Sequence, residues 1–172
     1  MQKAIIKTKP GFLCASWSEK GLYYLSMPWK NETLAEQDLS QLKGERSPQG
    51  GKGSSFLNQL ELLLTAYFNG QKVEFFDVSV DFSGYTPFRR KILQLTADIP
   101  YGEIYTYGGL AAIAEKRGGA RAVGGALGSN RTPLIVPCHR VIRSDGTLGG
   151  FSSGLDWKRY LLKIEGHNFA AR

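Results

Sequence analysis

Short apolar runs separated by turn-forming residues dominate the first part of the chain. They predict three strands over Ala4–Thr8, Phe12–Trp17 and Leu22–Met27, because apolar runs of this length suit the strands of a buried sheet. Ser18–Gly21 has the composition of a hairpin turn between the second and third strands. A weaker helical pattern over Thr33–Lys43 predicts a helix after the sheet.

The strongest helical pattern in the first half of the chain follows a segment rich in glycine. Gly44–Gly53 has the composition of a flexible loop, and Ser54 or Ser55 then supplies a helix N-cap. Gly70 ends this helix, and Val73–Val80 has the pattern of a returning strand. The apolar face of the helix is expected to consist of Phe56, Leu57, Leu60, Leu63, Leu64, Tyr67 and Phe68.

The second half begins with helices whose ends carry clear signals. Thr86 and Pro87 supply an N-cap and a first-turn proline. The apolar stripe of the helix that follows is formed by Phe88, Ile92 and Leu95. Asp98–Gly102 contains a proline and a glycine, which end the helix.

Two shorter helices follow. Thr106 can cap a helix over Tyr107–Ala114, and a second helix is predicted over Ala120–Gly128 after a turn at Lys116–Gly119. The inward residues of the first of these helices are expected to be Leu110, Ala111 and Ile113. Two short helices joined by a glycine-containing turn are typical of a helix-turn-helix, although helical hairpins also occur in proteins that never bind DNA.

These patterns predict an α+β fold with two lobes. Residues 1–81 form a small α/β lobe with a short antiparallel sheet, and residues 82–172 form a mainly helical lobe with the helix-turn-helix. A chain of 172 residues that is 42% hydrophobic can bury a core of this kind. No apolar run approaches the roughly 20 residues needed to span a bilayer, and the N-terminus does not have the pattern of a signal peptide.

Charge separates the two halves. The chain carries 22 Lys and Arg against 15 Asp and Glu, a net charge of +7. Residues 1–81 are balanced at nine basic and nine acidic, whereas residues 82–172 contain 13 basic and six acidic residues. The whole excess therefore lies in the C-terminal half, which indicates a polyanionic partner there. A basic surface that serves only solubility remains the alternative.

Pro137–Val141 places Cys138, one of two cysteines, beside His139, one of two histidines. A thiol attacks as its thiolate, which a neighbouring base makes available. The preceding apolar run, Leu134–Val136, suits a buried extended segment, so Cys138 is expected where that segment emerges. Cys14 lies in a strand pattern and is interpreted as a core thiol. Two cysteines without a disulfide pattern fit a reducing compartment.

The helix predicted over Ala120–Gly128 has an unusual surface. It contains three glycines and begins with a long cation, Arg121. Glycine in a helix interior costs about 1 kcal/mol relative to alanine, so a close approach of another backbone is expected. That backbone belongs either to a neighbouring part of this protein or to a nucleic acid, and the sequence alone does not choose between them.

Taken together, the motifs of the second half resemble those of the O6-alkylguanine-DNA alkyltransferases, which are also called methylated-DNA–protein-cysteine methyltransferases. The matching motifs, in order, are Pro100–Glu103, Thr106-Tyr107, Arg121–Ala126, Asn130, Pro133, Pro137–Val141 and Glu165–His167. The N-terminal half resembles the family only in its outline of strands and helices. Two departures stand out: the zinc ligands of some members have no counterpart set here, and Arg131 follows Asn130 where a proline is frequent.

The resemblance implies a role in the chemistry for five residues. Cys138 would take the alkyl group from guanine O6 by in-line displacement. His139 would draw the thiol proton through a water, and Glu165 would orient His139 and stabilise its charge. Asn130 would brace the active-site turn, and Tyr107 would donate a hydrogen bond to the lesion base.

The resemblance also implies how the substrate is bound. The base would contact Tyr107, Pro133, Val136, Phe151, Ser152 and Lys158, although Phe151 fits the core equally well. The helix of small residues would enter the minor groove through Ala120, Arg121, Ala122, Gly124, Gly125 and Gly128. Arg121 would fill the gap left by the flipped nucleotide, since a base inside a duplex does not expose O6 to a buried thiol.

The implied protein is a single-turnover DNA repair enzyme. It would act as a monomer on double-stranded DNA that contains O6-alkylguanine, with O4-alkylthymine left open as a second substrate. It would need no cofactor, metal or membrane, and would act in the cytoplasm of a prokaryote or the nucleus of a eukaryote. A cysteine hydrolase would use the same Cys138, His139 and a carboxylate but would turn over. A helix-turn-helix transcription factor would explain Arg121 and the charge but not the Cys-His pair.

Overall fold

A computed structural model of the chain describes residues 1–46, 55–116 and 118–170. The chain divides into two compact units, Met1–Asp81 and Phe82–Arg172. The boundary coincides with the position after which basic residues outnumber acidic ones. The α+β class predicted from the sequence is confirmed. Within the described residues, no helix is long and apolar enough to cross a membrane.

The first unit is built on a four-stranded sheet with the order β3-β2-β1-β4. Strands β1 (Gln2–Thr8), β2 (Gly11–Ser18) and β3 (Gly21–Leu25) are antiparallel, as expected for the short antiparallel sheet predicted from the sequence. The two-residue strand β4 (Glu45–Arg46) pairs in parallel with β1. Gly21 is required at the hairpin because its φ is +124° and a Cβ would lie 2.3 Å from the carbonyl oxygen of Ser79.

Two helices, α1 (Glu32–Gln41) and α2 (Ser55–Phe68), pack against this sheet. The side chains of one face of β1 and β2, Ile5 and Cys14, form a cluster with Ala35 and Leu39 of α1. The opposite face includes Trp17, whose ring lies 5.9 Å from that of Phe56 on α2. Buried residues on both faces explain why these strands are continuous apolar runs rather than alternating ones.

Three predictions for the first unit need correction. Val73–Val80 is not a strand: the chain turns at Phe76 and Asp77, where the Val78 N–H donates to the Phe75 carbonyl, and only Val80 forms a bridge, with Leu22. The third strand ends at Leu25 instead of Met27. Glu45–Arg46 is a strand inside the predicted loop; the loop residues 47–53 and the alternative cap Ser54 lie outside the described residues.

The second unit contains α3 (Pro87–Ala97), α4 (Tyr107–Ile113), α5 (Ala120–Gly128) and α6 (Leu155–Ile164). The side chains of Thr86 and Thr106 accept hydrogen bonds from the first turns of α3 and α4, as predicted. Strand β5 (Tyr105–Thr106) pairs in parallel with β6 (Val141–Ile142). This pairing ties the start of α4 to the chain that follows Cys138.

The buried faces of two helices differ from their predictions. Helix α3 buries Ile92, Leu93 and Thr96, whereas Phe88 and Leu95 are only half-buried. In α4, Leu110 and Ala111 are buried as expected, but Ile113 is 51% exposed. Ile113 is the last residue of this short helix, and the helical periodicity of apolar residues predicts burial poorly at a helix end.

Candidate active site

Cys138 lies at the end of a tight buried turn rather than an extended segment. The Val136 N–H donates to the Thr132 carbonyl at 2.9 Å, and Leu134 has a φ of +74°. Leu134–Val136 is therefore buried as expected but turns, which corrects the extended conformation predicted from its apolar pattern. After Pro137 the chain forms a 3₁₀ turn over Cys138–Arg140. Cys138 itself is 7% exposed.

Asn130 contacts the thiol directly. Its Nδ2 donates to Cys138 Sγ at 3.2 Å and to the Val136 carbonyl at 2.8 Å. Its Oδ1 accepts the Thr132 N–H at 3.0 Å. One amide thus closes both ends of the turn and points a donor at the sulfur, whereas its role in the reaction stays a prediction.

His139, Arg140 and Glu165 form a buried charged cluster behind the cysteine. Glu165 Oε1 lies 2.8 Å from His139 Nε2 and accepts Arg140 Nη2 at 3.0 Å. Its Oε2 accepts Arg140 Nε at 2.9 Å and the Gly102 N–H at 3.3 Å. Arg140 also donates to the Ile99 carbonyl. Every oxygen of the buried carboxylate is therefore satisfied, as a buried charge requires.

This environment sets the resting protonation states. Burial would raise the pKa of Glu165, but hydrogen bonds from His139 and Arg140 and the positive charge of Arg140 lower it to about 2. Burial lowers the pKa of His139 despite the opposing effect of Glu165. Burial also raises the pKa of Cys138, against the opposing effects of Asn130 and Lys158. At neutral pH the resting site thus holds an ionised Glu165, a neutral His139 and a thiol.

Lys158 is completely buried and is held by backbone carbonyls. Its Nζ donates to Val141 at 2.6 Å, to Gly150 at 3.2 Å and to Leu148. Burial lowers its pKa to about 8, and attraction to Cys138 opposes this shift. Lys158 thus joins α6 to the loop at Leu148–Gly150 and places a positive charge near the sulfur.

Cys138 lines a cleft of about 560 Å³ in the second unit. Tyr107 is on its wall, and its hydroxyl donates to the Gly150 carbonyl at 3.3 Å. Gly149 packs against this ring so closely that a Cβ would lie 2.7 Å from it, and its φ is +70°. The other predicted residues that line the cleft are Ala120, Arg121, Gly124, Gly128, Phe151 and Ser152. Phe151, for which the sequence left core and cleft both open, is half-buried and lines the cleft.

The glycines of α5 are not explained by packing within the protein. A Cβ at Gly125 or Gly128 would meet nothing within 4 Å, and one at Gly124 would make only ordinary contact with Tyr107. Arg121 and Ala122 are exposed on the same helix. The small residues therefore leave an open surface, which disfavours the core-packing alternative among the described residues.

Some predicted site residues lie away from the cleft. Val136 is fully buried, Pro133 is half-buried, and neither lines it. Ala122 and Gly125 are exposed on α5 but do not line the cleft, and Asn130, His139, Lys158 and Glu165 do not line it either. Contact of Pro133 and Val136 with a base stays a prediction.

Sequence reasoning missed the role of Arg140, although the residue is part of the Cys-His motif. It also missed Arg143, Ser144 and Asp145, which line the cleft mouth. Arg140 could have been suspected because a buried carboxylate next to a histidine needs a second donor. The described residues contain no group of three or more His, Cys, Asp or Glu arranged to hold a metal ion.

Comparisons with known proteins identify the family of the chain. The sequence model of the family described as 6-O-methylguanine DNA methyltransferase, DNA binding domain, matches residues 87–167. A methylated-DNA–protein-cysteine methyltransferase of Methanopyrus kandleri is 46% identical over 127 residues, covering 73% of this chain and 92% of that protein. One from Methanosarcina barkeri is 37% identical over 166 residues, covering 95% and 96%.

Solved structures extend the similarity to the whole chain. A crystal structure of Mycobacterium tuberculosis OGT in complex with DNA superposes with a TM-score of 0.77 at 33% identity. The match covers 96% of this chain and 92% of that one. The similarity therefore includes the N-terminal unit, where the sequence had suggested only a common outline.

Proposed function

The chain belongs to the family of methylated-DNA–protein-cysteine methyltransferases, and on that premise we propose that Cys138 is the residue that accepts the alkyl group. The protein acts in DNA repair by alkyl transfer, and its partner is DNA. The residue-level mechanism below is our proposal, as is its action in the compartment that holds the chromosome, the cytoplasm of a prokaryote or the nucleus of a eukaryote.

The observation that carries the proposal is the position of the thiol. Cys138 lines an open cleft on one side, and on the other side its neighbour His139 pairs with the buried Glu165. Cys14 offers a contrast, because it is fully buried and donates to the Ala35 carbonyl at 2.9 Å. Burial and the nearby Asp38 raise the pKa of Cys14 to about 12, which makes it a poor nucleophile.

In the reaction, Cys138 Sγ attacks the alkyl carbon as the bond from that carbon to guanine O6 breaks. The electron pair of the broken bond goes to the purine, which takes up one proton from water and becomes guanine. The thiol proton passes through a water to His139, and His139 later returns it to water, so that no net proton is consumed. Tyr107 exchanges the hydrogen bond that it donates to the Gly150 carbonyl for one to the base. This bond strengthens as the base gains electrons, which lowers the barrier by stabilising the developing charge.

The resting protonation states favour general-base catalysis over a preformed thiolate. A neutral His139 can accept the proton, and the ionised Glu165 stabilises the imidazolium that results. Arg140 holds the carboxylate in place through two hydrogen bonds. Lys158 and Asn130 stabilise the thiolate while it exists.

Binding to DNA is assigned to the open face of α5. Its small residues allow a sugar-phosphate backbone to approach closely, and Arg121 lines the cleft mouth, where it can occupy the gap left by an extruded base. The cleft volume of about 560 Å³ suits one nucleobase with its alkyl group. Extrusion costs a few kcal/mol, less for a loosely paired lesion.

A thioether on Cys138 has no good leaving group, so each molecule should react once. The test is to mix the protein with excess O6-benzylguanine and count the guanine released per protein molecule. We expect one equivalent from wild type and from Cys14→Ser, and none from Cys138→Ser. Continued release would indicate the alternative, a hydrolase, and release by Cys138→Ser would remove Cys138 from the reaction.

A further inference from the structure

The hydroxyl of Tyr85 bridges the backbone groups on the two sides of Asn130. It donates to the Ser129 carbonyl at 2.9 Å and accepts the Arg131 N–H at 3.0 Å. Both partners belong to the residues that flank Asn130, so one side-chain oxygen fixes the chain immediately before and after it. A proline at position 131 would lack the N–H that this bridge uses.

The ring of Tyr85 is itself held in place. The guanidinium of Arg131 lies over it at 4.2 Å from the ring centroid, and Arg131 Nη2 donates to the Ser83 carbonyl at 2.8 Å. The ring of Phe82 lies 6.4 Å away on the same segment. Arg131 therefore clamps Tyr85 from one side while its own N–H holds the hydroxyl.

The bridge leads to the reacting sulfur in one further step. Asn130 Nδ2 donates to Cys138 Sγ at 3.2 Å and to the Val136 carbonyl at 2.8 Å. We propose that Tyr85, clamped by Arg131, is a positioning residue that holds the Asn130 amide against the Cys138 sulfur. This inference rests on the proposed function only in calling that sulfur the reacting atom.

A hydrogen bond to the thiolate is sensitive to small displacements, because its strength falls steeply with distance and angle. Without the hydroxyl, the Ser129 carbonyl and the Arg131 N–H lose their common partner, and Asn130 is free to shift. The thiolate then loses a donor that favours the charged form. Among the described residues, Lys158 and Tyr107 interact electrostatically with Cys138, and His139 is its neighbour in the chain. The charged residues Arg121, Arg143 and Asp145 line the same cleft, and the substitution below changes none of these groups.

The test is Tyr85→Phe, which keeps the ring under Arg131 and removes only the oxygen. The rate of iodoacetamide modification at Cys138 is measured against pH by peptide mass spectrometry, which separates Cys138 from Cys14 and does not depend on alkyl transfer. The rate of reaction with O6-benzylguanine is measured in parallel. Tyr24→Phe is the matched control, because the Tyr24 hydroxyl also makes a hydrogen bond, to Asp38 at 3.1 Å, but in the first unit.

We expect Tyr85→Phe to raise the apparent pKa of Cys138 by about 0.5 units or more, with an about threefold lower rate below that pKa. Tyr24→Phe should leave both quantities at the wild-type values. A folded Tyr85→Phe protein with the wild-type pH profile would overturn the inference. If the profile shifts but wild type never reacts with O6-benzylguanine, the positioning role stands and the proposed function fails.

Discussion

Glu165→Gln is the substitution that probes the buried cluster most sharply, because it changes one oxygen to nitrogen and removes one charge. Both carboxylate oxygens accept two hydrogen bonds, from His139, Arg140 and the Gly102 N–H. An amide has one acceptor oxygen, and its NH₂ group would face donors wherever it is placed. The variant therefore loses hydrogen bonds and leaves the positive charge of Arg140 buried without its partner.

The cost of this change follows from the pKa of Glu165. The carboxyl prefers its ionised form in the fold, with a pKa of about 2 against an ordinary value of 4.5. At about 1.4 kcal/mol for each pKa unit, this preference is worth about 3 kcal/mol. Breaking a buried pair by removing one partner costs about 3–5 kcal/mol. We expect a loss of the free energy of unfolding within that range.

Loss of the carboxylate also affects His139, because Glu165 raises its pKa whereas Arg140 and Lys158 lower it. Without Glu165 the imidazole becomes a weaker base. General-base catalysis contributes about 10²–10⁴ in rate, so we expect the rate of alkyl transfer to fall by about 100-fold or more. Affinity for DNA should change little, since Glu165 is buried.

The assay is the single-turnover rate with O6-benzylguanine against pH, with circular dichroism and urea unfolding to show that the variant is folded. Glu103→Gln is the matched control, because it removes an exposed carboxylate from the same unit. A folded Glu165→Gln protein that reacts at the wild-type rate would refute the role of Glu165. An unfolded variant would show that Glu165 is needed for the fold, which is the stability loss at the upper end of the expected range.

Three further predictions concern DNA and acid. Arg121→Ala should slow repair of a lesion in a matched duplex far more than it slows repair in a mismatched duplex or the reaction with free O6-benzylguanine. Equal losses of rate on all three substrates would assign Arg121 to the fold or the pocket. Gly125→Ala should raise helix stability by up to about 1 kcal/mol yet weaken duplex repair, measured by thermal unfolding and single-turnover rates; unimpaired repair would exclude DNA from this face. The contribution of Glu165 to stability should be constant above about pH 4.5 and should fall by about 3 kcal/mol towards pH 2 as Glu165 takes up its proton. In urea titrations, Glu165→Gln should lack this contribution, so the difference in stability between wild type and the variant should shrink by that amount.

The features predicted best from the sequence are those set by local chemistry. Thr86 with Pro87 and Thr106 mark the starts of α3 and α4, because a capping side chain acts within its own turn. Helix α5 has the predicted bounds, Ala120–Gly128. The hairpin at Ser18–Gly21 was predicted equally well from its turn residues.

The errors occurred where packing of distant segments overrides local pattern. Val73–Val80 alternates like a strand, yet Val73, Phe75 and Val78 fill the core from an irregular segment that turns at Asp77. Leu134–Val136 is as apolar as a strand but is held in a turn by Asn130 and Thr132. The burial of such residues was predictable, but their backbone conformation depended on partners elsewhere in the chain.

The candidate site shows the same limit. The adjacency of Cys138 and His139 is visible in the sequence, and the resemblance supplied Glu165, Asn130 and Tyr107. The roles assigned to these residues stay predictions. The bridge from Tyr85 to the chain around Asn130 could not be predicted, because residues that lie far apart in the sequence meet there only after folding.

The most direct test of the central claim is the mass of the intact protein after it is mixed with duplex DNA containing O6-methylguanine. Peptide mapping then locates the added group on one of the two cysteines. We expect a gain of one methyl group per molecule, on Cys138, with one guanine restored in the DNA for each molecule methylated. Repair without a change in protein mass, or a methyl group on Cys14, would contradict it.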